Sequence, residues 1–122
     1  MESNARPRVL VVDDERVIAD TLSIILNQAG FEASAVYSGE DAVAHARRQP
    51  LDLIIADVVM PDMNGIEAAI VIRELLPTCK ILLFSGQAST ADLLEDARHR
   101  GYEFDILAKP IHPQDLLAKI RG

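Results

Sequence analysis

The sequence predicts an α/β domain built on a doubly wound, parallel, five-stranded sheet. Five apolar segments rich in β-branched residues recur at intervals of about 20–28 residues, and each is followed by a segment of helical periodicity. Four of the five contain a near-continuous apolar run, as parallel strands covered on both faces do. Strict strand–helix alternation with short connections then requires right-handed crossovers and helices on both faces, in three layers.

The predicted strands are RVLVVD (8–13), EASAVY (32–37), LDLIIAD (51–57), KILLFS (80–85) and EFDILA (103–108). The second is the most mixed, which places it at a sheet edge. The first helix should run from about Glu15 to Ala29, with Ile18, Leu22, Ile25 and Ala29 on one face and Gly30 as its stop. The second opens with Ser38 as N-cap and Asp41 three residues on, a loose capping box, and presents Ala42, Val43 and Ala46. The third starts near Gly65, carries Ile66, Ala69 and Ile70, and ends before Pro77. The fourth opens with Ser89 and Asp92 and ends at Gly101. The last has Pro113 in its first turn, where a missing N–H costs nothing, and should bury Leu116, Leu117 and Ile120.

Residues 1–122 are expected to form one domain, with 1–7 a flexible N-terminal segment. At 49% hydrophobic and 25% charged residues, the chain is neither disordered nor fibrous. A net charge of −7 argues against direct binding to nucleic acid, which needs a basic surface. The single Cys79 has no partner for an internal disulfide and precedes an apolar run, so it reads as packing. No apolar run approaches the roughly 20 residues that span a bilayer, and MESNARPR has no secretory core. A cytoplasmic, soluble chain is expected.

In open α/β sheets ligands bind beyond the carboxyl ends of the strands. Those ends carry Asp13 and Asp14, then Asp57, Ser85 and Lys109. The loop after the first strand reads DDER, where a nucleotide-binding fold would place glycines to cradle phosphate, and no G-x-G-x-x-G or P-loop occurs. Two like charges about 4 Å apart repel by roughly 4 kcal/mol at an effective dielectric near 20. Either water screens Asp13 and Asp14 at a helix start, or something positive belongs there. Three carboxylates at strand ends, Asp13, Asp14 and Asp57, suit a hard divalent cation with oxygen ligands.

The motifs VVDDE, DVVMPDMNG, FSG and AKP, in this order and spacing, resemble the receiver domain of two-component response regulators, the CheY-like, flavodoxin-like fold. The resemblance covers essentially the whole chain. It implies strand order 2-1-3-4-5 and transfer of a phosphoryl group from a sensor histidine kinase or phosphotransfer protein to Asp57. By the same resemblance, Asp13, Asp14, Asp57 and the Val59 carbonyl would hold Mg²⁺ or Mn²⁺. Ser85 would meet a phosphoryl oxygen and Lys109 would pair with the phosphate, with a cis bond to Pro110. A downstream protein would be engaged through the face made by the fourth helix, fifth strand and fifth helix, by a monomer or a weak phosphorylation-dependent dimer. Gly86 would leave access for the donor, and Pro61 and Gly65 shape the loop after Asp57, where Gly65 can take a positive φ.

One position departs from the family pattern. Ile106 stands where receivers carry Tyr or Phe, three residues before Lys109, with Phe104 the nearest aromatic on its face. This keeps open an alternative, a degenerate receiver acting as a phosphorylation-independent interaction module. A phosphatase with an aspartyl-phosphate intermediate would need a second Asp two residues after the nucleophile, where Val59 stands. His45, His99 and His112 are scattered and read as surface or cap residues, and ARHR (97–100) as solvated charge near a helix end.

Overall fold

The computed structural model describes residues 6–86 and 90–121. Strands β1 (Arg8–Val12), β2 (Glu32–Val36), β3 (Leu53–Asp57), β4 (Lys80–Ser85) and β5 (Asp105–Ala108) alternate with five helices. These are α1 (Arg16–Gln28), α2 (Gly39–Arg48), α3 (Gly65–Leu75), α4 (Thr90–His99) and α5 (Pro113–Arg121). The strands form one sheet in the order β2-β1-β3-β4-β5, with every neighbouring pair parallel.

Period-two alternation sorts each central strand between two cores. Leu10, Val12, Ile54, Ala56, Ile81 and Leu83 face one side, where α2, α3 and α4 contribute Ala42, Val43, Ala46, Ile66, Ala69, Ile72 and Ala97. Val9, Val11, Leu53, Ile55, Leu82 and Phe84 face the other, against Ala19, Leu22 and Leu26 of α1 and Leu116 of α5. The expected face of α2 holds, and in α5 Leu116 is buried while Leu117 and Ile120 pack against the core only partly buried. In α1 the buried line is Ala19, Leu22 and Leu26, while Ile18, Ile25 and Ala29 flank it. The buried face is thus rotated slightly from the stripe expected, with the small Ala19 fully buried against the sheet.

Local signals position these elements. Ser38 accepts the Asp41 N–H and caps α2. Asn64 and Glu67 close a reciprocal capping box on α3. Gly30, at φ 101°, ends α1, where Phe31 N–H reaches the Leu26 carbonyl and Gly30 N–H the Asn27 carbonyl. Gly101, at φ 92°, ends α4 in the same way, with Tyr102 N–H on Ala97 O.

Some boundaries differ from expectation. β3 begins at Leu53 and β5 at Asp105, each two residues late, because the first residues of those apolar segments lie outside the ladder. β5 is an edge strand like β2 and is the less covered of the two, with Ile106 36% exposed. Ser89, expected to open the fourth helix, lies outside the described residues, as do residues 1–5 of the segment expected to be flexible. Arg6 and Pro7 are held: the Arg6 guanidinium donates to the Asn27, Gly30 and Phe31 carbonyls, and Glu32 N–H donates to Pro7 O.

Candidate functional site

Strands β1, β3, β4 and β5 end on one side of the molecule, and the residues at or just beyond their ends converge there. Asp13 directly follows β1, and its N–H donates to Val36 O at 3.2 Å, prolonging the ladder with β2. Asp57 closes β3 and pairs in register with Phe84, so that Ser85 lies one residue beyond it on β4. Carboxylate oxygens of Asp13, Asp14 and Asp57 all lie within 4.8 Å of one another. Asp13 and Asp57 are buried, whereas Asp14 is exposed.

Lys109 reaches across from beyond β5. Its ammonium sits 3.1 Å from Asp57 Oδ2, and its backbone N–H donates to Ser85 O at 3.1 Å. The peptide bond between Lys109 and Pro110 is cis. The stem of Lys109 runs past Gly86, where a Cβ would lie 3.0 Å from Lys109 Cβ. Smallness at position 86 therefore serves the lysine as its immediate neighbour, in addition to any access it leaves to a donor.

The loop after Asp57 folds back over it. Val58 is fully buried and donates to Phe84 O, Val59 N–H points to Asp57 Oδ1 at 3.4 Å, and Gly65 N–H returns to Val58 O. A Cβ on Gly65 would fall 2.1 Å from Asp57 O and 2.8 Å from its carbonyl carbon. Gly65 is required by this close approach and does not use the positive φ open to a glycine; in this loop Asp62 takes one, at 62°. The Asp62–Met63–Asn64 stretch makes the bend before α3 begins.

One oxygen in this cluster stands out. Asp13 Oδ1 accepts the Glu15 N–H at 2.9 Å, while Asp13 Oδ2 is buried with no hydrogen-bond partner among the described residues. Burial pushes the Asp13 carboxyl up to about 6, with the Asp57 and Asp14 charges adding and the Glu15 N–H and Lys109 opposing. Three carboxylates against one ammonium leave excess negative charge around a desolvated oxygen. Carboxylates are hard ligands, and such an oxygen is a ready acceptor for a cation.

Six residues singled out in the sequence, Asp13, Asp14, Asp57, Val59, Ser85 and Lys109, thus come together at one end of the sheet. His45, His99 and His112 do not join them: His45 lies on α2, His99 pairs with Glu95 on α4, and His112 precedes α5. One side chain in contact with the set was not foreseen. Ser85 Oγ is hydrogen-bonded to Oγ1 of Thr90, the first residue of α4, which is 2% exposed. No motif marks this threonine, and its polar neighbours Ser89 and Asp92 looked like the helix-start signals.

Comparison with known proteins follows the same lines. The family model for the response regulator receiver domain matches residues 9–121. The DNA-binding response regulator MtrA of Mycobacterium tuberculosis (strain H37Rv) is 30% identical over 117 residues, covering 96% of this chain and 50% of MtrA. The chain spans about half the length of such relatives. Chemotaxis protein CheY4 of Vibrio cholerae superposes with a TM-score of 0.84 at 30% identity, covering 96% of this chain and 98% of that one. The CheY-like receiver domain protein of Methanospirillum hungatei gives a TM-score of 0.86 at 28% identity, covering 96% and 92%. The carboxylate cluster, the strand order and these matches agree: the chain belongs to the response regulator receiver domain family, a signalling module of two-component systems.

Proposed function

We propose that this chain is a phosphoacceptor, in which Asp57 receives a phosphoryl group from the phosphohistidine of a sensor histidine kinase or phosphotransfer protein. The observation that carries the reading is the setting of Asp57: a buried carboxylate with Lys109 3.1 Å from one oxygen and two further carboxylates within ligand reach. An Asp57 oxygen forms the new P–O bond as the P–N bond to the donor imidazole breaks and its electron pair returns to the ring nitrogen. Lys109 faces the developing charge on the phosphoryl oxygens, and the Ser85 hydroxyl donates a hydrogen bond to one of them. Asp13, Asp14, Asp57 and the Val59 carbonyl are the residues that would hold Mg²⁺ or Mn²⁺, and the orphaned Asp13 Oδ2 fits that role. The bound ion would offset negative charge between the carboxylates and the incoming phosphoryl group. No turnover of a free substrate is assigned: the product is the modified chain itself.

The signal is passed to a downstream protein through the face of α4, β5 and α5. The thin cover of β5 supports this, with Leu93 and Ile106 exposed on that side. The chain works in the cytoplasm as one receiver domain, a monomer or a weak phosphorylation-dependent dimer. Its net charge of −7 supports a role without direct contact to nucleic acid. The test is incubation with acetyl phosphate and Mg²⁺ followed by intact-mass measurement. Wild type gains the mass of one phosphoryl group, and Asp57→Asn or a chelator abolishes the gain. A wild type that does not label overturns the reading in favour of a constitutive interaction module.

A further inference from the structure

Ser85 and Thr90 form a hydroxyl pair whose direction is open, since either oxygen can be the donor. A serine hydroxyl has one proton and two acceptor lone pairs. Phosphoryl oxygens only accept. If Ser85 gives its proton to Thr90, none is left for a phosphoryl group on Asp57. If Thr90 is the donor, Ser85 still has its proton and accepts through a lone pair.

Resting on the phosphoacceptor reading, we infer that Thr90 is a positioning residue for phosphoryl transfer: its hydroxyl donates to Ser85 Oγ and leaves the Ser85 proton for the phosphoryl oxygen. Two features of the pair support this. Thr90 is 2% exposed, so bulk water does not stand in for its hydroxyl. Ser85 is tied to the same lysine that pairs with Asp57, because its carbonyl accepts the Lys109 N–H at 3.1 Å. The backbone thus places the serine, and Thr90 sets the direction of the hydrogen bond between the two hydroxyls. Donation from Thr90 to Ser85 to phosphoryl oxygen runs in a single direction, in which each bond polarises the next.

The experiment measures the labelling rate with acetyl phosphate and Mg²⁺ by intact mass, in a double-mutant cycle. Thr90→Val keeps the shape and removes the hydroxyl, and it should label about tenfold more slowly, the effect of about one good hydrogen bond. Thr90→Ser keeps a hydroxyl and should restore most of the rate. Ser85→Ala should be slow, and Ser85→Ala with Thr90→Val no slower than Ser85→Ala alone. A Thr90→Val variant that labels at the wild-type rate overturns the inference. So does a Thr90→Ser variant as slow as Thr90→Val, or a valine that slows the Ser85→Ala background by the same factor. Urea melts confirm folding, and should Thr90→Val not fold, Thr90→Ala takes its place in the cycle. A wild type that fails to label removes the phosphoacceptor reading and this inference together; a labelling wild type with an indifferent Thr90→Val removes this inference alone.

Discussion

Asp13 carries a sharp conflict between burial and charge. Folded, it keeps its proton up to about pH 6, against 3.8 for an ordinary aspartate. Between those values the native state binds more protons than the unfolded chain, so without metal this group lowers stability as pH rises through the window. At about 1.4 kcal/mol per tenfold change in proton affinity, the swing is about 2–3 kcal/mol. Urea melts in a chelator should show Asp13→Asn gaining about that much on wild type between pH 4 and pH 7. At neutral pH, Mg²⁺ should raise the melting temperature of wild type and have little effect on Asp13→Asn. Pairs of acids at strand ends are legible in a sequence. That one oxygen of Asp13 is sealed from water and lacks a donor among the described residues depends on how β1 pairs with β3 and brings Asp57 beside it.

Among the elements, the passage from β3 to α3 holds Asp57 in place. The Asn64–Glu67 capping box starts the helix, and Gly65 lets the loop return against the Asp57 carbonyl. Gly65→Ala puts a methyl carbon 2.1 Å from backbone oxygen, so the loop or the strand end must move. Overpacking of this kind costs about 1–3 kcal/mol, and here it displaces the acceptor itself. Urea melts should show that loss, and the acetyl phosphate labelling rate should fall with it, whereas Asn64→Ala should cost about 1 kcal/mol through lost capping. The helix caps at Ser38 and Asn64 could be anticipated from short local patterns, because a capping hydrogen bond spans only three residues. The role of Gly65 could not, since its partner Asp57 is close in space through the returning loop. The same reason hid Thr90, whose contact with Ser85 depends on where α4 starts relative to β4.

At the scale of the whole molecule, the central strands β1, β3 and β4 are sealed between two cores, while β2 and β5 form the edges. Cys79 lies 2% exposed just before β4, and burial, with the nearby Asp52 charge adding, pushes its thiol up to about 11. Thiolate is scarce at neutral pH, so a disulfide reagent should modify the native chain slowly. The rate should rise steeply with urea, following the opening of β4; fast labelling in native buffer would contradict this burial. Alternating apolar and helical segments, each a local pattern of some ten residues, determined the α/β class, the five strands and the acids at their ends. The sequence also placed Asp13, Asp14, Asp57, Ser85 and Lys109 at strand ends, because a strand's last residue is set by where its apolar run stops. Tertiary structure alone decided the close approach at Gly65, the orphaned oxygen of Asp13 and the Ser85–Thr90 pair. Each is a matter of ångströms between segments distant or separately oriented along the chain, and only packing of the helices on the sheet sets such distances.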